Sequence, residues 1–348
     1  MSDIIFEQIR SGGCLSYLIG CPDTHSAIII DPKSDQTDNY LSLAARHGLH
    51  IQYLLDTHTH ADHFTASHML GEKLGAKVIM HRSSVAPFVD MPVDDGETII
   101  VGKLRLRVMY TPGHTSDSMC IILPDRVFTG DTLLIGGTGR TDLPSGDPSQ
   151  LYDSLFNGLL KLSPELMVFP GHDYKDRSHS TLKQEIAENP RLQKKQRDEF
   201  IKQMRELDLK MPTHLTEALR TNRSGGKTVE QMIAEAAARI SFMSLDEVKR
   251  YIESNANNLI ILDVREKDAY QENHIPGAIN IPRGQLELRI NEVLPDPTQR
   301  ILVYCELGKI STLAAAMLQD MGYRRAIALD GGIRMWKEVK YPLESAAH

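Results

Sequence analysis

Short apolar runs recur along the first half of the chain, at residues 27–30, 53–55, 78–80, 106–110 and 120–123, separated by glycine, proline and aspartate turns. Runs of this length, rich in Val, Ile and Leu and bounded by turn residues, predict β-strands, with a few helical stretches between them. The rhythm fits an α/β sandwich. Between about residues 180 and 240 the pattern changes to charged helical segments, broken at Pro190, Pro212 and Ser224-Gly225-Gly226 and densest in charge over 191–210. A second α/β pattern starts at Ser244-Leu-Asp-Glu247, the Ser-x-x-Glu form of a capping box. Strand-like runs at 259–264, 301–304 and 326–329 then alternate with helical segments, which predicts a small parallel sheet with crossover helices.

A length of 348 residues suits two separate cores. The expected division is a first domain over 1–190, a helical tail and linker over 191–240, and a second domain over 241–348. A formal charge of −7 gives no basic field for nucleic acid. Residues 1–13 lack the basic and apolar regions of a leader, and no uncharged apolar run reaches membrane-spanning length, so a cytoplasmic protein with no membrane partner is expected. Four cysteines, Cys14, Cys21, Cys120 and Cys305, are too few for a disulfide framework. Packing is the expected role of the first three.

Candidate chemistry gathers at two places. Thr57-His-Thr-His-Ala-Asp-His63 follows a strand-like run, so His58, His60, Asp62 and His63 crowd at a strand end. His114, Asp131 and His172 follow later apolar runs, each beside a glycine that allows a tight turn, so loops at one edge of a sandwich can converge on a cation. His68, His81, His179, His214 and His274 lie outside this pattern and are expected to be structural.

His-x-His-x-Asp-His followed by His114, Asp131 and His172 resembles the metallo-β-lactamase superfamily over about residues 3–190, which implies an αββα sandwich holding one or two metals. Two branches compete: a binuclear thioester hydrolase of glyoxalase II type using all seven residues, and a mononuclear persulfide dioxygenase. The loops Thr129-Gly-Asp-Thr-Leu-Leu-Ile-Gly-Gly-Thr-Gly-Arg-Thr-Asp142 and Gly171-His-Asp-Tyr174 resemble the dioxygenase. Residues 191–240 show nothing like the hydrolase's basic glutathione-binding region. The resemblance places one Fe(II) per chain on His58, His114 and Asp131. Two imidazoles and a carboxylate on one face of Fe(II) leave positions open for substrate and dioxygen. His60, Asp62, His63 and His172 are then expected to support the ligands from behind. By the same resemblance Arg140 and Tyr174 hold the glutathione portion of glutathione persulfide, Arg140 as a planar fork for a carboxylate, and a homodimer is implied.

The second place is Cys305, which opens Cys-Glu-Leu-Gly-Lys-Ile-Ser between a strand-like run and a helical segment. Backbone amides and the helix N-terminus there favour a thiolate. This loop, Glu306, Leu307, Gly308, Lys309, Ile310 and Ser311, resembles the rhodanese active-site loop. Leu262-Asp-Val-Arg265, the stretch from His274 to Pro282, and Asp330-Gly-Gly-Ile-Arg-Met-Trp336 extend that resemblance over about 241–345. It implies sulfane-sulfur transfer between glutathione and thiosulfate or sulfite through a persulfide on Cys305. Many rhodanese loops are basic where this chain has Glu306 and Ile310. Lys309 alone is cationic, and Glu306 is expected to set a negative charge against the helix dipole. The combined expectation is oxidation of glutathione persulfide to sulfite coupled to sulfur transfer. The rivals are the thioester hydrolase with an accessory rhodanese domain and a non-catalytic sulfur-sensing protein.

Overall fold

A computed structural model describes residues 4–211, 215–254 and 258–345, so Pro212 and His214 lie outside the described residues. The chain forms two compact units, Met1–Gly226 and Lys227–His348.

In the first unit, β1 (Ile5–Ser11), β2 (Cys14–Gly20), β3 (Ser26–Ile30), β4 (His50–Leu55), β5 (Lys77–His81) and β6 (Met91–Val93) lie side by side in sequence order. A second sheet, from β7 (Thr98–Val101), β8 (Leu104–Tyr110), β9 (Met119–Ile122), β10 (Arg126–Gly130), β11 (Met167–Pro170) and β12 (Ser180–Thr181), is likewise ordered by sequence. Leu15, Tyr17, Ile19, Ile28, Ile30 and Leu55 of the first sheet meet Leu106, Val108, Ile121, Phe128 and Phe169 of the second in one core. The alternate positions Leu18, Ile29 and Leu54 turn outward onto Tyr40 and Leu43 of the helix Thr37–Arg46 and Leu70 of the helix Ser67–Leu74. Outward positions Ile122, Val127 and Val168 are covered by Leu151, Leu155, Leu182 and Phe200. Strands covered on both faces read as unbroken apolar runs, which is why β3 shows no alternation. In β8, by contrast, Arg105 and Arg107 face solvent and the alternation is plain. The layers are helix, sheet, sheet, helix, as the αββα expectation requires.

The second unit has a parallel sheet ordered β13 (Phe242–Met243), β17 (Ala326–Leu329), β16 (Arg300–Tyr304), β14 (Leu259–Asp263) and β15 (Ile279–Asn280). Leu262, Ile301, Val303, Ala326 and Ala328 pack on one face with Leu286, Ile290, Ala314 and Leu318. Ile261, Leu302, Tyr304, Ile327 and Leu329 pack on the other with Val248, Ile333 and Trp336. The capping box at Ser244 and Glu247 is formed.

Residues 191–240 do not stand apart as a tail. Phe200 and Met204 of the helix Arg197–Arg205 complete the outer layer of the first unit, while Ala236 of the helix Val229–Arg239 joins the core of the second. Charge density along 191–210 marks only the wet face of a helix whose other face is buried.

Phe128 is fully buried among Tyr17 and Phe169, with ring centroids 4.8 and 5.5 Å away. Phe128→Ala is expected to destabilise the first unit by about 3–5 kcal/mol. Denaturant unfolding followed by circular dichroism checks this, and a loss below about 1 kcal/mol would show that the cavity collapses.

Candidate functional site

The metal-type residues all follow strands of the first unit. His58, His60, Asp62 and His63 come after β4, His114 after β8, Asp131 after β10 and His172 after β11. Gly171 permits the convergence, since a Cβ there would come within 2.7 Å of Asp131 Oδ1.

His58, His114 and Asp131 each offer a ligand atom within 4.8 Å of the others. The Thr57 hydroxyl donates to Asp31 Oδ2 at 2.9 Å, so His58 Nδ1–H donates in turn to Thr57 Oγ1 at 3.0 Å and Nε2 keeps its lone pair. His114 Nδ1–H donates to the Arg140 carbonyl at 2.7 Å, which frees Nε2, 3.6 Å from Asp131 Oδ2. Backing of this kind fixes the tautomer that ligates. Burial, with His60 and His114 alongside, pushes the His58 imidazole down to about 3, so it is neutral. Burial works to raise Asp131, but His172, His114 and His58 outweigh it and hold the carboxyl well below its usual range.

His60 belongs to a different group. Its Nε2 is 3.1 Å from Asp31 Oδ1, and it clusters with Asp31 and Asp56. His60 Nδ1 and His63 Nε2 are buried without a hydrogen-bond partner among the described residues, and the His60 ring lies 4.2 Å from that of His58. Unpartnered imidazole nitrogens beside two imidazole donors and a carboxylate suit a cation, and the N,N,O set suits iron.

Behind the triad, His172 Nδ1 bonds Asp131 Oδ1 at 2.7 Å and Nε2 bonds Asp62 Oδ2 at 2.8 Å. Burial disfavours its charged form, but the two carboxylates outweigh this and hold the imidazole well above its usual value. One oxygen of Asp131 is thereby occupied and Oδ2 faces His114. Asp62 and His63 sit with His172 and Cys14 in a second cluster within 4.8 Å.

Cys14 is therefore not packing. Its sulfur lies 3.6 Å from Asp62 Oδ2 and 3.8 Å from His63 Nδ1. Burial would raise the thiol, but hydrogen bonds with His172 and His63 bring it down to about 7. β1 and β2 pair as a hairpin that sets Cys14 opposite Ser11, and a bridge joins Cys14 to His172. A cysteine opening a strand gave no sequence signal for this. Cys21 and Cys120 are buried as expected.

Asn222 is a second residue the sequence did not single out. From the helix Leu215–Ser224 its Nδ2 donates to the carbonyls of His60 at 2.9 Å and His63 at 2.8 Å, and its Oδ1 accepts from Thr65 N at 3.0 Å. The segment taken for a tail thus clamps the ligand loop.

A cavity of about 310 Å³ opens on Asp131, His114, Asp62 and His172, walled by Leu134, Leu143, Leu209, Arg140, Tyr174 and Lys210. Arg140 is not an open fork. It binds both oxygens of Asp142, at 2.6 and 2.7 Å, and the Lys210 carbonyl at 2.7 Å, so the carboxylate it clamps is the chain's own. Tyr174 does stand at the rim, stacked on His172 with centroids 5.9 Å apart. Four of the five histidines expected to be structural stack on rings: His68 on Phe88, His81 on Tyr110, His179 on Phe169 and His274 on Tyr270.

In the second unit, Cys305 ends β16 and Gly308 caps the helix Lys309–Asp320. Ser311 N donates to Cys305 Sγ at 3.3 Å, the amide cradle expected of a helix N-terminus. The Asp330-Gly-Gly motif has a mechanical role. Ile333 N donates to the Cys305 carbonyl at 2.9 Å and Arg334 N to that of Glu306 at 3.0 Å. A Cβ on Gly332, whose φ is +67°, would lie 2.6 Å from both carbonyl oxygens. Glu306 does not face the thiol as an uncompensated charge, because Arg265 Nη1 at 3.3 Å and Lys337 Nζ at 3.6 Å pair with it.

Comparison with known proteins places both units in known families. Residues 9–172 match the model of the metallo-beta-lactamase superfamily, and residues 244–339 match the rhodanese-like domain. The chain belongs to the metallo-β-lactamase superfamily and carries a rhodanese-like domain as its second unit. It is 35% identical over 221 residues to human mitochondrial persulfide dioxygenase ETHE1, covering 63% of this chain and 85% of the relative. The crystal structure of ETHE1 from Myxococcus xanthus, 43% identical, superposes with a TM-score of 0.63 over 64% of this chain and all of that one. A metallo-beta-lactamase structure from Staphylococcus aureus, 25% identical, covers 95% of this chain and 99% of its own with a TM-score of 0.60. Within the superfamily, the chain belongs to the ETHE1 persulfide dioxygenase family.

The Cys14 environment makes a direct prediction. As pH rises through about 7 the thiol loses its proton, so alkylation of Cys14 by iodoacetamide should reach half its limiting rate there. Cys120, which burial pushes up to about 11, should stay unlabelled in the folded protein. Peptide mapping against pH checks both, and a Cys14 midpoint near an ordinary thiol value of about 8.5 would contradict the imidazole contacts.

Proposed function

We propose that the chain oxidises glutathione persulfide with dioxygen to sulfite and glutathione at one iron held by His58, His114 and Asp131, and transfers sulfane sulfur through Cys305. The observation that carries the reading is the separation of ligand-type residues into a triad and a supporting set. His58, His114 and Asp131 form one group, while His60, held through Nε2 by Asp31, falls in another with Asp31 and Asp56. Iron bound at the triad supplies open positions for the persulfide sulfur and for dioxygen, and the electrons that oxygen activation needs.

The chain's residues do the rest. His172 holds Asp131 Oδ1 and so aims Oδ2 at the metal position. Leu134, Leu143 and Leu209 wall the cavity with apolar surface that limits water at the reacting sulfur. Lys210, exposed at the rim and without an ion pair among the described residues, offers the cation for a glutathione carboxylate. Arg140 positions this rim through the Lys210 carbonyl, and Tyr174 offers a ring edge and hydroxyl. Two oxygens from dioxygen end on the outer sulfur. Water supplies the third when the sulfur–sulfur bond breaks, and its proton goes to the departing glutathione thiolate.

In the second unit the Cys305 thiolate attacks a sulfane sulfur, the donor's bond to that sulfur breaks, and its electron pair leaves with the donor. The Ser311 amide steadies the sulfur's charge. The persulfide so formed passes its outer sulfur to glutathione or sulfite, which links the two reactions through glutathione persulfide. Among the described residues no helix is long and apolar enough to cross a membrane. A cytoplasmic setting fits this reading, although the human relative is mitochondrial.

Purified protein is expected to carry about one iron per chain. Asp131→Ala should lose both iron and persulfide-dependent oxygen uptake while keeping sulfur transfer, and Cys305→Ser should do the reverse. His172→Ala, which spares the triad, should weaken iron binding roughly 10–100-fold. Metal analysis, an oxygen electrode and a sulfur-transfer assay on the three variants test the scheme. Retention of iron and oxygen uptake by Asp131→Ala would refute the ligand assignment.

A further inference from the structure

The Cys305 loop lacks what a compact sulfur dianion needs. Glu306 takes up Arg265 and Lys337, and Arg265 is further spent on Asp263, at 2.7 Å, and on the Asn273 carbonyl, at 2.6 Å. Arg334, at the start of the adjoining helix, pairs with Glu338 at 3.6 Å. The hydroxyls of Ser311 and Thr312 donate to the Gly308 carbonyl at 2.9 and 2.8 Å, so their protons point into the chain. Lys309 is the one loop cation, exposed and with no ion pair among the described residues. Beside it two large aliphatic side chains stand in solvent, Leu307 at 46% and Ile310 at 51% exposure.

One cation flanked by two exposed aliphatic groups suits a donor whose charges are spread over an organic body. A compact doubly charged anion would leave its whole charge against apolar surface with one partner, whereas an organic group covering Leu307 and Ile310 removes that surface from water. We propose that the loop takes sulfur from a low-molecular-weight organic persulfide in preference to thiosulfate, with Leu307 and Ile310 setting the choice. The proposal rests on the reading of Cys305 as the sulfur-carrying thiol. In the step, the Cys305 thiolate attacks the outer sulfur of R–S–SH, forming a Cys305–sulfur bond. The R–S to sulfur bond breaks, the electron pair leaves on the thiolate R–S⁻, and the proton stays on the transferred sulfur. No external oxidant or reductant is needed.

The test loads the full-length protein without oxygen, so that the iron site consumes no persulfide. Glutathione persulfide and thiosulfate are compared, and the sulfur gained at Cys305 is followed by peptide mass spectrometry. Wild type should load faster from glutathione persulfide. The double variant Leu307→Arg/Ile310→Arg should shift the ratio of the two rates toward thiosulfate by roughly tenfold or more. Leu307→Ser/Ile310→Ser should slow persulfide loading without speeding thiosulfate, a second reading that stands if the arginine variant does not fold. A wild type that loads as fast from thiosulfate, or a ratio unmoved in the variants, overturns the specificity proposal and leaves the sulfur-carrier reading intact. Failure of both donors to place sulfur on Cys305 overturns the carrier reading, and the specificity proposal with it.

Discussion

The metal-binding edge of the first unit depends on one buried carboxylate. Asp31, at the end of β3, accepts from Thr57 N at 2.7 Å, from the Thr57 hydroxyl at 2.9 Å and from His60 Nε2 at 3.1 Å. Burial alone would raise its pKa, but His60 and His58 outweigh burial and keep it charged. Hydrogen bonds to a charged group contribute about 1.5–3 kcal/mol each, so the Thr57–His60 loop is fixed before any ion arrives. Its consequences run outward. Thr57, having donated its proton to Asp31, can only accept from His58, which decides the His58 tautomer. His60 is bonded to Asp31 through Nε2, and its Nδ1 is left without a partner among the described residues. One carboxylate thus sets the His58 tautomer and holds the His60 ring in place.

The sequence made the strands and the ligand alphabet legible because both depend on local pattern. Apolar runs located β3, β4, β5, β8, β9, β14, β16 and β17, and the order of His58, His114 and Asp131 followed from strand ends. Two-residue strands such as β13 and β15 carry too few positions for any periodicity. Cys14 and Asn222 were invisible for another reason: each acts across long sequence separation, Cys14 through a hairpin register and Asn222 through a helix whose charge reads as solvent-facing. Arg140 and Glu306 show the limit most clearly. Arg140 was assigned by resemblance and Glu306 by its charge, and in each case the neighbouring charge, Asp142 for one and Arg265 with Lys337 for the other, decides what the side chain is free to do.

Different physics holds the reactive atom in the two units. The triad is assembled from side chains on separate loops, so it needs orienting partners such as Thr57, His172 and the Arg140 carbonyl to be rigid. The Cys305 site is assembled from backbone, with the Ser311 amide on the sulfur and the Ile333 and Arg334 amides fixing the loop carbonyls. Beyond the Ser311 hydroxyl, which accepts from Cys305 Sγ at 3.5 Å, side chains in the loop are released from holding the sulfur. A loop can carry Leu307 and Ile310 without losing its cradle, and its donor preference can change while the thiol's position does not.

The cluster of Cys14, Asp62, His63 and His172 offers sulfur, oxygen and nitrogen donors, and the question it raises is why a second ion should not compete for it. His172 gives the answer. A cation there would need the Nε2 lone pair, but Nε2 carries the proton bonded to Asp62, while Nδ1 carries the one bonded to Asp131. Claiming His172 for a second metal therefore removes a proton held between two carboxylates and breaks the contact with Asp62. The same ring that aims Asp131 at the first metal position thus opposes a second, and the carboxylates that charge it are themselves members of the two clusters. In the proposed scheme, this sharing of protons favours one metal over two, although every ligand type needed for two metals is present in the sequence.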